Sequence, residues 1–225
     1  MLTKMVANSF GAVVVLVANG YGGDALRVAR SMYEGAVIVG YIQKHPEVFD
    51  TYYEFHWVLA KRSVDWMTEH APEELKKLDP KKVKEIEDNF ARVKPNYQTE
   101  KGKIRDSWSK TPLRNMAEDI GMADLHSYYE QASSMHHANV QALSSQLEVS
   151  ADETIVDFDV APSDHWAGEA LMLAMGSFVQ ALKGYNALCG KKFDALVEDV
   201  EGKFTNAWKK QLAREGKGTG AGDGI

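Results

Sequence analysis

The chain has one cysteine, Cys189, among 225 residues. That excludes a disulfide framework and any cysteine-based zinc site, and it fits a reducing compartment. Proline is scarce as well, at six residues, most of them between periodic segments where they punctuate helices. No apolar run reaches the roughly 20 residues that span a bilayer. The segment Phe10–Ala18 follows Lys4 in the order of a secretory leader, but no clean small-x-small site lies behind it. A turn-like Asn19–Gly23 follows instead, so it is read as a buried first helix. An excess of positive charge is also missing. The 26 Lys and Arg stand against 32 Asp and Glu, a net charge of −6, which argues against general affinity for nucleic acid or an anionic membrane. These absences together predict a cytoplasmic, non-membrane protein.

What is present is helical periodicity. Asp24 opens a segment reaching about Lys44, with Leu26, Ala29, Tyr33, Val37, Gly40 and Tyr41 at helical spacing, and His45-Pro46 ends it. A third helix is expected from Asp50 to about Leu78, with Tyr53, Trp57, Ala60, Val64 and Met67 on one stripe and an interruption at Pro72. Val83, Ile86, Phe90 and Val93 place a surface helix over Lys81–Lys94. Pro95–Lys110 reads as a polar loop ending in a solvent-facing Trp108. Thr111-Pro112 starts a short helix that stops at Gly121, and another helix is expected over Ala123–Leu147. Residues 154–160, where Val156, Phe158 and Val160 alternate with Asp157 and Asp159, read as a short strand or an extended crossover. Small residues (Ala167, Gly168, Ala170, Ala174, Gly176, Ala181) line the last long helix, His165 to about Leu188, and would let another helix, or its own copy in a homo-oligomer, approach closely. Helical signal resumes from Lys192 to about Arg214.

The expectation is therefore an all-α multi-helix bundle of six to eight helices, one domain over 1–215, with a disordered glycine-rich tail over 216–225. The charge is segregated. Glu148–Asp164 holds six acids and no Lys or Arg, whereas Lys76–Lys110 is richer in basic residues.

Two stretches could carry chemistry. Arg27, Arg30 and Glu34 lie in an otherwise apolar helix, and Arg30 and Glu34 are one turn apart. A buried arginine and glutamate must pair or line a pocket. Leu125–Asn139 carries Tyr129, Ser133 and His136 on one stripe and His126, Glu130 and His137 on the next. A histidine beside a hydroxyl and a carboxylate can serve as general acid or base, phosphate donor or metal ligand. Familiar motifs fail on spacing. There is no H-E-x-x-H, no pair of Glu-x-x-His helices and no Walker loop. No Arg-His pair has the short gap of helical HEPN-type RNases; Arg62 and His70 have seven residues between them.

The order of these features resembles a known family. An Arg-x-x-x-Glu helix (Arg30, Glu34) runs into Tyr41, Ile42, His45 and Pro46. A polar Trp segment precedes a helix (Trp108, Thr111, Arg114, Met116, Ala117), and Tyr129, Ser133 and His136 follow. This is similar to the bacterial helical family called domain of unknown function 5677, over roughly Gly22 to Leu147. The resemblance implies that Arg30, Glu34, Tyr129, Ser133 and His136 gather in the bundle interior, and it carries a hint of abortive-infection or defence association. No cofactor is expected. Three readings stay open on these residues. One is an enzyme or toxin-like effector acting on a phosphate ester, RNA among them, with Arg30 binding a small anionic ligand and His136 as acid or base. Another is a module that binds a protein partner or small ligand, with the same residues as a structural network. The third is a metal-binding bundle using Glu34, Glu130, His136 or His137.

Overall fold

Two glycines and an acid open the helix on which most of the fold rests. The computed structural model describes residues 1–136, 147–149, 155–158 and 163–218. Nine α-helical segments occur among them: α1 (Leu2–Ala18), α2 (Gly22–Lys44), α3 (Phe49–His70), α4 (Pro72–Leu75), α5 (Pro80–Tyr97), α6 (Leu113–Asp119), α7 (His126–His136), α8 (Ala167–Leu188) and α9 (Asp194–Gly218). The one sheet among the described residues is an antiparallel pair, β1 (Leu147–Val149) with β2 (Ile155–Phe158), in which Leu147 faces Phe158. The fold is all-α with this small addition, so the extended segment expected near 154–160 is a strand. The chain forms two compact units, Met1–Lys44 with Leu113–Ile225, and His45–Pro112. The last helix, α9, is assigned to Gly218, and 219–225 lie outside the described residues.

In the first unit α2 is central and packs on α1, α8, α7 and α6. Ala25, Leu26, Ala29, Met32, Tyr33, Ala36 and Val37 are all buried along it, at the three- and four-residue spacing of one helical face. Close approach follows from small residues. A Cβ at Gly184 of α8 would meet Val39 Cγ1 at 2.5 Å, and one at Gly40 of α2 would meet Ile120 Cδ1 at 2.7 Å. The small residues of α8 therefore serve packing within the chain, where Ala170, Ala174 and Ala181 are buried too. First-helix burial is one-sided: Val6 and Val13 are buried, whereas Met5 and Val15 are exposed. Asn186 closes the α8–α9 corner, donating from Nδ2 to Asp194 at 2.6 Å and accepting from the Phe193 amide at 2.8 Å. This satisfies one of the few buried polar side chains.

In the second unit α3 packs on α5. Asp79 caps α5 by accepting from the Lys81 amide at 2.9 Å, and the helix runs through Pro95 to Tyr97, beyond the expected end. Pro72 does interrupt the long helix, separating α3 from α4. Two sequence expectations are corrected here. The buried residues of α3 are Phe55, Val58 and Val64, of which only Val64 lies on the expected stripe, and Tyr53 of that stripe is 61% exposed. Trp108 is 9% exposed and packs edge-on against Tyr52, ring centroids 5.3 Å apart. A tryptophan in a polar stretch finds cover when the chain folds back on a helix. Tyr97 is fully buried and donates to the Thr51 carbonyl at 2.6 Å, with Phe55 against its ring.

Gly22 is a close-contact point. Its amide donates to the Ser163 carbonyl at 3.2 Å, and a Cβ there would run into the His165 carbonyl oxygen and come within 2.9 Å of the Ala167 amide nitrogen. Backbone cannot step aside as a side chain can. Gly22→Ala is expected to destabilise the first unit by about 2–3 kcal/mol, lowering Tm by roughly 4–10 °C. Gly168→Ala has open space around it and is expected to leave Tm unchanged or raise it by a degree or two. Paired thermal melts check both.

Candidate functional site

The site is built where α7 crosses α2. On α2, residues 30, 33 and 34 share a face because they are three and four apart; on α7, residues 126, 129, 130 and 133 do the same. Arg30 donates through Nη2 to Glu34 Oε1 at 3.0 Å, their side chains 17% and 36% exposed. Tyr129 then donates its hydroxyl to the same Glu34 oxygen at 3.1 Å, across 95 residues of sequence. The Arg30 guanidinium also lies over the Tyr129 ring, 5.5 Å from its centroid. One carboxylate thus gathers a cation and a phenol from two helices. Among the described residues, Arg30 Nε is buried with no hydrogen-bond partner.

A second layer lies beside it, and sequence reasoning did not put its buried member in the site. Tyr33 is fully buried. Its hydroxyl donates to the Met122 carbonyl at 3.4 Å and lies 3.2 Å from His126 Nδ1. His126 Nε2 faces Glu130 Oε1 at 3.5 Å, with side-chain exposures of 13% and 62%. The rings of Tyr33, His126 and Tyr129 stack or tilt on one another at 5.1–6.0 Å between centroids. Hydroxyl, imidazole and carboxylate stand in line, but the order is inverted for a hydrolytic relay. The hydroxyl is sealed in the core and the carboxylate faces solvent, so Tyr33 has no access to a substrate. The available signal was the spacing itself, since Tyr33 sits three residues from Arg30 and His126 three from Tyr129.

The five residues singled out in the sequence are placed unequally. Arg30, Glu34 and Tyr129 meet. Ser133 is half-buried one turn beyond Tyr129, and among the described residues no hydrogen bond joins it to the cluster. His136 is the last residue of α7; its side chain lies outside the described residues, as does all of His137. Arg27 is no part of the site, since it pairs with Asp24 at 2.6 Å on the surface. No group of three or more His, Cys, Asp or Glu that could hold a metal ion occurs among the described residues. No helix among them is long and apolar enough to cross a membrane.

Burial raises the hydroxyl pKa of Tyr33 well above its ordinary value of 10.0, with smaller contributions from Tyr129 and Glu130. Tyr129 is raised too, by burial first and then by the Glu34 carboxylate, against a lowering effect of Arg30. A phenol whose folded pKa lies above its unfolded one retains its proton longer in the native state. The associated stability is complete below about pH 10 and is lost as pH rises past it. Melting of the first unit is therefore expected to fall more steeply between about pH 9.5 and 11.5 in the wild type than in Tyr33→Phe. Tyr33→Phe is also expected to cost about 1 kcal/mol at neutral pH through the lost hydrogen bond. Thermal melts of both proteins across that range measure the difference in slope.

With that geometry in place, the comparisons concern the part of the chain that builds it. No curated protein and no solved structure matches the chain. Residues 1–154 match the model of the family of unknown function DUF5677, a span that includes both helices of the cluster and exceeds half of the 225 residues. The chain belongs to the family of unknown function DUF5677.

Proposed function

We propose that the α2–α7 cluster binds the phosphate of an anionic ligand through Arg30, and that the chain is an effector acting on a phosphate ester there. The observation that carries this is the state of Arg30. Its guanidinium is largely buried, yet among the described residues Nε lacks an acceptor, and the Glu34 carboxylate it meets is itself a third exposed and shared with Tyr129. A buried donor without an acceptor is an uncommon cost in a native core, and a guanidinium held by a carboxylate and an aromatic face is pre-oriented for an incoming oxyanion. Glu34 and Tyr129 are positioning residues for that cation. His136, three residues after Ser133 in the sequence, is the acid or base of this reading. It removes a proton from an attacking water or ribose hydroxyl as the new P–O bond forms. As the old P–O bond breaks, the proton passes to the leaving oxygen. The defence or toxin-like role suggested by the family resemblance would be exercised through that cleavage.

A second reading has its own support. Glu34 accepts from both Arg30 and Tyr129, which ties α2 to α7 and would specify their register even with no ligand. The two readings separate on one pair of measurements, phosphate binding and stability. With inorganic phosphate as probe, the wild type is expected to melt higher as phosphate rises, by about 2.7 kcal/mol of stabilisation at 100 times Kd. Arg30→Gln is expected to lose that response while keeping a Tm within a few degrees. A short RNA is then expected to be cut by the wild type and to survive with Arg30→Gln or His136→Ala. No phosphate response in the wild type, together with a large loss of Tm in Arg30→Gln and Glu34→Ala, would leave the structural reading in possession of the site.

A further inference from the structure

The second unit holds an arginine with less compensation than Arg30. Three arginines tie α3, α5 and the segment after α5 together, and two carboxylates answer them. Arg62 donates to Asp106 Oδ1 at 3.0 Å, and Arg92 pairs with Glu54. Arg105 has no carboxylate partner among the described residues; its guanidinium donates from Nη2 to the Asn96 carbonyl at 2.7 Å. Among the same residues its Nε and Nη1 are buried without an acceptor. The Asn96 carbonyl belongs to the last turn of α5, so the negative end of the helix dipole offsets about half an elementary charge at most. Buried cations are ordinarily paired outright. Arg30, which lies over a tyrosine ring as Arg105 does, has Glu34.

The uncompensated group is also held in place. The Arg105 guanidinium lies 5.6 Å from the centroid of the fully buried Tyr97 ring. The Arg105 amide donates to the Tyr97 carbonyl at 2.9 Å, and its own carbonyl accepts from Arg62 Nη2 at 2.8 Å. The turn before it is closed by the Thr99 amide on the Lys103 carbonyl and the Gly102 amide on that of Thr99, both at 2.8 Å. Lys101 and Lys103 of that turn are exposed, with no ion pair among the described residues. Arg105 is half-buried and its neighbours Asp106 and Ser107 are exposed, so the group lies near solvent. With Glu54 and Asp106 already engaged, Glu100 against Lys101, Lys103 and Arg105 leaves a net charge of +2. A single carboxylate would cancel half of that. A phosphate with a free second ionisation, at about −1.5 to −2 near neutral pH, cancels nearly all of it, and its oxygens suit a guanidinium.

We propose that Arg105, with Lys101 and Lys103, binds a terminal phosphate group. The site belongs wholly to the second unit and does not rest on the reading of the α2–α7 cluster. The guanidinium nitrogens without acceptors hold phosphate oxygens, and the two lysines supply the remaining charge. A cap on the last turn of α5 accounts for Nη2 of Arg105, but for neither Nε nor Nη1.

NMR spectra of the full chain test this, with inorganic phosphate as probe and sodium chloride at equal ionic strength as reference. The Arg105 Nε–H signal and the amides of residues 101–106 are expected to shift saturably in the millimolar range. Arg105→Gln is expected to weaken that response about tenfold or more, whereas Arg30→Gln leaves it unchanged, so the two phosphate sites stand or fall separately. Adenosine monophosphate distinguishes the sources of the group. Binding tighter than that of inorganic phosphate assigns the site to a phosphate ester, and equal or weaker binding assigns it to the free ion. The same shifts produced by adenosine alone overturn the proposal. So does the absence of a saturable shift at Arg105 by about 50 mM phosphate, or an Arg105→Gln variant that binds as the wild type does. If Arg105→Gln does not fold, the wild-type Nε–H titration decides together with the exposed pair Lys101→Ser and Lys103→Ser. That double variant is expected to bind phosphate severalfold more weakly, and unchanged affinity in it overturns the proposal.

Discussion

Compensating one largely buried positive charge is the constraint on which the centre of the first unit depends. Arg30 stands on a helix whose neighbouring positions are core, with 17% of its side chain exposed. An isolated guanidinium there would be costly. Glu34, one turn on, supplies the counter-charge, and it lies at the rim with its carboxylate still partly hydrated. Tyr129 completes the arrangement by donating to that carboxylate and offering its ring face to the cation. The position of α7 on α2 follows from this three-way contact. Coulomb attraction alone would leave α7 free to slide, whereas a shared acceptor oxygen and a ring under the guanidinium define its register.

Beside that layer, Tyr33 shows how the same helix crossing handles neutral polarity. Its hydroxyl is beyond the reach of water, so the proton must stay and a protein acceptor must be found; the Met122 carbonyl and His126 provide for it. Desolvation raises the pKa of both phenols. Ionisable groups of one site are thereby sorted by depth, with charge near the rim at Glu34 and Glu130 and a neutral hydroxyl in the core.

Much of this was legible in advance. Helix ends at Lys44, His70 and Gly121 follow from proline and glycine chemistry that acts within a residue or two, and the Arg30–Glu34 pair follows from helical spacing alone. The contact of Tyr129 with Glu34 was suggested by family resemblance rather than by spacing. Tyr33 was read as core and is both core and a member of the polar cluster, because a buried tyrosine and a buried polar anchor have the same pattern. Trp108 and Tyr53 exchanged their expected environments. In each case periodicity reported which residues share a face, not which face meets protein, and α3 has apolar residues on both.

The sequence by itself determined an all-α protein without disulfides, with most of its helices and the one-turn neighbours along each. Tertiary structure alone decided that Tyr129 reaches Glu34 across 95 residues, that Gly22 lies against the backbone before α8, and that Tyr53 of α3 faces outward. The physical reason is range. Backbone dihedrals and hydrogen bonds within a helix are settled by residues at most four apart. The rotation of one helix against another is settled by desolvation and packing summed over many distant side chains.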